Sequence, residues 1–197
     1  DPPIRQRHAI VTLDGALRPI DLGAPAPETV HSYRWSPDAQ RLAFDTSDLY
    51  VKLRRVLVVE TNDSGAGPAA TLVREANPLN VSASWQIEWS PDCHGLFFLS
   101  DRDEDYHLYL APLDGEEARR ITRGPWAVAR FHVLPDGLLM VANRGRPEER
   151  QLLRADLDGS SLTRVSERAG THAPTVSPEG RSAAVAFSSD EMPPELL

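Results

Sequence analysis

The chain has 197 residues, 21 Lys+Arg against 29 Asp+Glu, a net charge of −8 and a single cysteine, Cys93. That balance excludes an internal disulfide framework, argues against nucleic acid or an anionic membrane surface as the main partner, and leaves room for one domain or part of a larger one. No apolar run approaches the ~18–20 residues that span a bilayer. Asp1-Pro2-Pro3-Ile4-Arg5 lacks the apolar stretch of a secretory signal, which leaves the compartment open between the cytoplasm and periplasm of a bacterium.

In chain order, Ile10-Val11-Thr12-Leu13 and Leu17 to Leu22 read as two strands joined at Asp14-Gly15. Punctuation then recurs: Trp35-Ser36-Pro37-Asp38, Trp89-Ser90-Pro91-Asp92, Val133-Leu134-Pro135-Asp136 and Val176-Ser177-Pro178-Glu179, with prolines 54, 44 and 43 residues apart. Each is followed by an apolar run, such as Leu96-Phe97-Phe98-Leu99 or Leu138-Leu139-Met140-Val141, that fits a strand buried on both faces. A mixed run such as His107-Leu108-Tyr109-Leu110 comes next, then an alternating one such as Leu162-Thr163-Arg164-Val165 that should lie at a solvent edge. Gly15, Gly65, Gly115 and Gly159 mark turns in parallel, three of them as Asp-Gly pairs suited to tight hairpins. A repeat of 43–54 residues with four strands is the signature of a propeller blade. The fold expected is all-β, a partial β-propeller of about four blades of four antiparallel strands. One segment, 1–197, would hold complete units at 30–75, 82–123 and 127–169, with partial units at 8–24 and 173–197, the last supplying two strands. The two partial units would either close on each other or pair head to tail in a homodimer.

From Trp85 to Val128 the order Ser84-Trp85, Trp89-Ser90-Pro91-Asp92, Leu99-Ser100-Asp101-Arg102-Asp103, His107-Leu108-Tyr109 and Ile121-Thr122-Arg123-Gly124-Pro125-Trp126 resembles the N-terminal propeller of dipeptidyl peptidase IV-type enzymes, in the prolyl oligopeptidase family of serine peptidases. Val176-Ser177-Pro178-Glu179-Gly180 through Pro193-Pro194-Glu195-Leu196 resembles the last propeller stretch of that family. The resemblance covers about 30–197, and its separate motifs are shared with TolB-type propellers. It implies a propeller seated over an α/β-hydrolase domain of the parent chain, limiting which peptide substrates reach the serine. No Gly-x-Ser-x-Gly elbow occurs here, so this chain alone is expected not to hydrolyse peptides. The acidic pairs Glu116-Glu117 and Glu148-Glu149 fall in loop segments without the family's surroundings, and Gln86-Ile87-Glu88-Trp89 lacks the family's arginine. No substrate contact is carried over. A TolB-type interaction propeller without an enzyme domain is the alternative.

No catalytic residue, metal ligand or cofactor is assigned. Asp101, Asp103 and Asp105 alternate like calcium-loop oxygens, but Tyr106 and Pro112 stand where that loop needs Gly and Glu. A hairpin turn is expected instead, with Arg102 and Glu104 as candidates for a polar rim that meets substrate. His31, His132 and His172 lie near the starts of first strands, where a channel metal would make the protein a lyase of acidic sugars; structural or exposed histidines are the plainer expectation. Trp35, Trp89 and Trp126 are expected to pack between blades. Ser64-Gly65-Ala66-Gly67 has no following Lys or helix and reads as a hairpin loop rather than a phosphate cradle. The 20 arginines, against Lys52 alone, are spread over every unit.

Overall fold

The computed structural model describes residues 8–23, 27–62, 65–81 and 84–196. The start Asp1–Arg5, Ser64 and Leu197 lie outside the described residues, as do 24, 82 and 83 at the edges of two expected units. The described residues form strands and turns with no helix. They divide into two compact units, the first reaching residue 96 with 111–118 added, the second holding 97–110 and 119 onward.

The β1 (His8–Val11) and β2 (Leu17–Ile20) strands pair as a two-stranded sheet. The next sheet runs β3 (Glu28–Trp35), β4 (Arg41–Asp48), β5 (Leu53–Asn62), with both β6 (Gly65–Ala66) and β7 (Ala70–Ala76) on β5. A four-stranded sheet holds β8 (Ile87–Trp89), β9 (Gly95–Ser100), β10 (His107–Pro112) and β11 (Arg119–Arg120). Another holds β12 (Val128–Leu134), β13 (Gly137–Ala142), β14 (Gln151–Ala155) and β15 (Leu162–Arg164), and a final sheet holds β16 (Thr171–Val176), β17 (Ala183–Ser189) and β18 (Met192–Leu196). Neighbours along the chain pair antiparallel in meanders, and no sheet closes on itself. These are sheets of the propeller-blade type.

The turns show why the punctuation recurs. At Ser36-Pro37-Asp38 the serine hydroxyl donates to the Asp38 carboxylate at 2.5 Å and accepts from Arg41 N–H at 2.9 Å. Ser90 and Asp92 repeat the arrangement, with Gly95 N–H donating to the Ser90 hydroxyl at 3.0 Å. Pro fixes the first turn dihedral and the Asp side chain caps the next amides. The second residue after the proline is left-handed in three of these turns: Ala39 at φ 57°, Cys93 at 60° and Gly180 at 69°. The parallel markers Gly15, Gly65, Gly115 and Gly159 all have positive φ.

Two strands were not expected. The β5 strand carries on to Asn62 and pairs with β6 beyond the turn, so that the longer first repeat makes an extra ribbon rather than loop alone. The last sheet has three strands where two were expected. Pro193 and Pro194 lack an N–H, yet β18 pairs through Met192, Glu195 and Leu196, and its register shifts past the prolines. An edge strand tolerates this because its outer amides need no partner.

The second strands are the core. Every residue of β9 and β13 is buried, and the first unit's core gathers Leu42, Phe44, Leu57 and Val59 with Ile20 and Leu22. In the second unit Phe97, Leu108, Phe131, Met140 and Leu153 form one cluster. Each such side chain contributes about 1.5–3 kcal/mol by leaving water. The β17 strand departs from the apolar-burial expectation: Val185 packs toward Leu139 and Val141, whereas Ala184 and Ala186 stay exposed.

Candidate functional site

In β4 burial does not stop with the apolar Leu42-Ala43-Phe44; it extends through Asp45, Thr46 and Ser47. Register explains which charges meet. Ser47 lies opposite Arg54 on β5, and Arg54 lies opposite Glu75 on β7. Asp45, two residues from Ser47, shares their face, and successive strand residues alternate faces. Arg54 therefore binds Asp45 through two bonds, Nε to Oδ1 at 2.9 Å and Nη2 to Oδ2 at 2.6 Å, and reaches Glu75 at 3.3 Å. Burial pushes the Asp45 carboxyl up and the bidentate guanidinium partly offsets it. Burial also works against the Arg54 charge, but Asp45 and Glu75 outweigh it and hold Arg54 above its ordinary value. On the opposite face Arg55 pairs bidentately with Glu28, both bonds 2.7 Å, while Thr46 donates to the same carboxylate at 3.0 Å.

A β-bulge between Val30 and Ser32 re-aims His31 on β3. Its ring stacks on Trp85 at 3.7 Å between centroids with 9° between planes, and Ser32 donates to the Trp85 carbonyl at 2.6 Å. The Arg54 guanidinium lies 5.5 Å from the same indole. Counted from the repeat proline, His31 and Trp85 occupy the same position, six residues before it, as do Ala129 and His172. A second bulge falls between Val128 and Arg130, around Ala129, whereas the β16–β17 register runs unbroken through His172.

His31 Nε2 lies 2.9 Å from the Ser47 hydroxyl, a pair that resembles a nucleophile and base. Burial removes that reading. Ser47 is 1% exposed, so a substrate cannot reach its oxygen, and the same hydroxyl also lies 2.9 Å from the Asp48 carbonyl, so its one proton is shared between two acceptors. Burial lowers the His31 pKa, Asp45 raises it and Arg54 lowers it again. The assembly is built to hold a geometry, and its buried charges are all engaged with one another.

The sequence candidates fall elsewhere. Arg102 and Glu104 lie in the turn between β9 and β10: the Arg102 guanidinium sits 4.7 Å from the Tyr109 ring and 5.3 Å from Phe98, and Glu104, at φ 82°, donates its amide to Asp101. Of the alternating aspartates, Asp103 accepts from the Tyr109 hydroxyl at 2.6 Å and pairs with Arg120 at 3.3 Å. Tyr109 holds the Asp103 carboxyl below its usual range, and burial with that bond drives the phenol far up. His172 lies 3.0 Å from the Arg150 carbonyl through Nδ1 and packs on Phe187, whereas His132 stands only three residues before its proline and so is not the repeat equivalent of His31. The described residues contain no group of three or more metal-ligating side chains. Trp89 and Trp126 are buried, Trp89 donating to the Arg34 carbonyl at 2.9 Å. Trp35 corrects the packing expectation: it is 47% exposed and, with Tyr33, borders a groove floored by Leu42, Phe44 and the narrow β1–β2 sheet.

Antiparallel blades, a repeat-positioned stack on a first strand and engaged buried charges define a propeller-type scaffold. The chain belongs to the family of the dipeptidyl peptidase IV (DPP IV) N-terminal region, whose model matches residues 6–194. It is 29% identical over 156 residues to the uncharacterized peptidase YuxL of Bacillus subtilis, covering 66% of this chain and 22% of that one. Porphyromonas gingivalis dipeptidyl peptidase 4 superposes with a TM-score of 0.79 at 19% identity, over 95% of this chain and 27% of that one. TolB from Acinetobacter baumannii gives 0.64 at 15% identity, over 96% of this chain and 45% of that one. The chain thus spans about a quarter of the peptidase chains it matches.

The buried ion clusters escaped sequence reasoning. Their signal was present: charged Arg54-Arg55 inside the apolar run Leu53 to Val59, and Asp45 directly after Leu42-Ala43-Phe44.

Proposed function

We propose that this chain is the noncatalytic propeller region of a dipeptidyl-peptidase-like serine peptidase, scaffolding an α/β-hydrolase domain of the parent protein and limiting which peptides reach it. The observation that carries the reading is the family match over 6–194, together with a Ser–His pair whose serine is buried out of reach of a substrate. Gating is a matter of steric access and needs no reacting group on the propeller, which agrees with charges that are paired internally. The test is to express the full reading frame that contains this chain and assay it with dipeptide-nitroanilides. Turnover by the full protein, lost when its hydrolase serine is replaced and absent from residues 1–197 alone, supports the proposal. A full product made only of further blades refutes it.

A TolB-like interaction propeller is the second reading, favoured by the superposition on TolB over 96% of this chain. It predicts that same blade-only product.

A further inference from the structure

In the second unit the outer strand β11 and the turn between β14 and β15 enclose a cleft of about 450 Å³. Its lining includes Arg119, Arg120 and Arg123 against one carboxylate, Asp158, in a chain of net charge −8. Ile121 and Leu162 add an apolar wall. We propose that this cleft binds a small multivalent oxyanion, a polycarboxylate or a phosphate, between the Arg119 and Arg123 guanidinium groups.

The frame is fixed before any ligand arrives. Gly159 has φ +78°, and a Cβ there would lie 2.4 Å from the Ile121 carbonyl oxygen, so the turn is locked against the strand end. Ile121 N–H donates to the Leu108 carbonyl at 2.8 Å. Arg120 is spent on structure: its Nε donates to the Thr122 carbonyl at 2.9 Å and its Nη1 pairs with Asp103 at 3.3 Å. It supplies a fixed positive charge rather than a free fork. Asp158 caps Ser160 N–H at 2.8 Å and lies near enough to Arg119 for the cation to favour its ionised form. Arg123 is exposed and makes no ion pair among the described residues. An ion of more than one charge is required, because Asp158 offsets part of the field and a monoanion would be outcompeted by solvent ions. Planar guanidinium groups match both carboxylate and phosphate oxygens, and the Ile121–Leu162 wall accepts a short carbon body.

The experiment is an amide and arginine Nε NMR titration of the intact chain with inorganic phosphate, citrate and acetate, ionic strength being held constant with sodium chloride. Saturable shifts at Gly159, Ser160, Arg119 and Arg123 with phosphate or citrate, and not with acetate, are expected; whichever of the two binds more tightly identifies the ligand chemistry. Arg123→Gln and Arg119→Gln should each weaken binding about tenfold, the loss of one charge-assisted contact. Both residues are exposed, so the ligand-free unfolding midpoint should stay put and separate lost binding from lost fold. Linear, unsaturated shifts with every anion, or an affinity in both variants equal to that of the parent chain, overturn the proposal.

Discussion

Replacing Arg54 by Met removes a cation whose side chain is 0% exposed, strands Asp45, also 0% exposed, and takes from Glu75, 13% exposed, its 3.3 Å ion pair. A lone carboxylate at that depth takes up a proton rather than stay charged. Starting from an ordinary carboxyl near pKa 3.9, uptake at pH 7 costs about 4 kcal/mol, at about 1.36 kcal/mol per pH unit. That falls inside the about 3–5 kcal/mol lost when a buried pair is broken on one side. At pH 5 the same uptake costs about 1.5 kcal/mol, so the variant should recover about 2.5 kcal/mol relative to the parent. The sign is fixed by the variant's raised carboxyl: its protonated form is free of this cost below about pH 4, and the cost grows as pH rises. Urea unfolding at pH 7 and pH 5 reads both numbers. The apolar triple variant R54M/D45L/E75M has no stranded charge and should lie within about 1–2 kcal/mol of the parent. A loss below about 1 kcal/mol at pH 7, an equal loss at both pH values, or a triple variant worse than the single one would refute the reasoning.

Gly159→Ala should cost about 2–3 kcal/mol, because strain at positive φ adds to the clash with the Ile121 carbonyl, whereas Gly115→Ala, at φ +88° with nothing within 4 Å, should cost only about 1 kcal/mol; thermal unfolding of the two compares space with backbone alone. His107 is buried, bonded to the Thr122 hydroxyl, and its pKa is lowered, first by burial and then by Arg120. Its contribution is therefore complete above about pH 6.5 and is lost as pH falls through the depressed value, so His107→Gln should flatten the acid limb of a stability–pH curve measured from pH 7.5 to 5. Dipeptide-nitroanilides should not be turned over by residues 1–197; release abolished by Ser47→Ala would contradict the reading of the buried Ser47–His31 pair as structural.

The blades were legible because their cues are local. Ser-Pro-Asp and Asp-Gly act through side chain-to-amide bonds a few residues apart, so they can be read without knowing what lies across the sheet. The β18 strand was hidden by Pro193 and Pro194, whose missing amides matter in a central strand and not at an edge. The Asp45–Arg54–Glu75 cluster depends on two separate pairings, β4 with β5 and β5 with β7, and a one-residue slip in either would turn a charge to the other face. Spacing from the proline places His31 and Trp85 at one register position, but the bulge that lets their rings meet leaves no mark in the residues themselves. The same holds for the arginine cleft, where residues 119–123 and 158–160 are brought together only by two different sheets.

Meander pairing also bears on how the chain is made. Strands bond to partners that precede them by one turn or one ribbon, and even the wider pairing in the five-stranded sheet reaches only from Leu53 to Ala76. Loop closure for such contacts is cheap and ordering is fast compared with sheets whose partners are far apart in the chain. A ribosome emits about 5–20 residues per second, so each blade has seconds in which to zip up before the next one emerges. Synthesis thus delivers the sheets one at a time, and the hydrophobic second strands β9 and β13 can be covered by their own neighbours before a downstream strand exists to mispair with them.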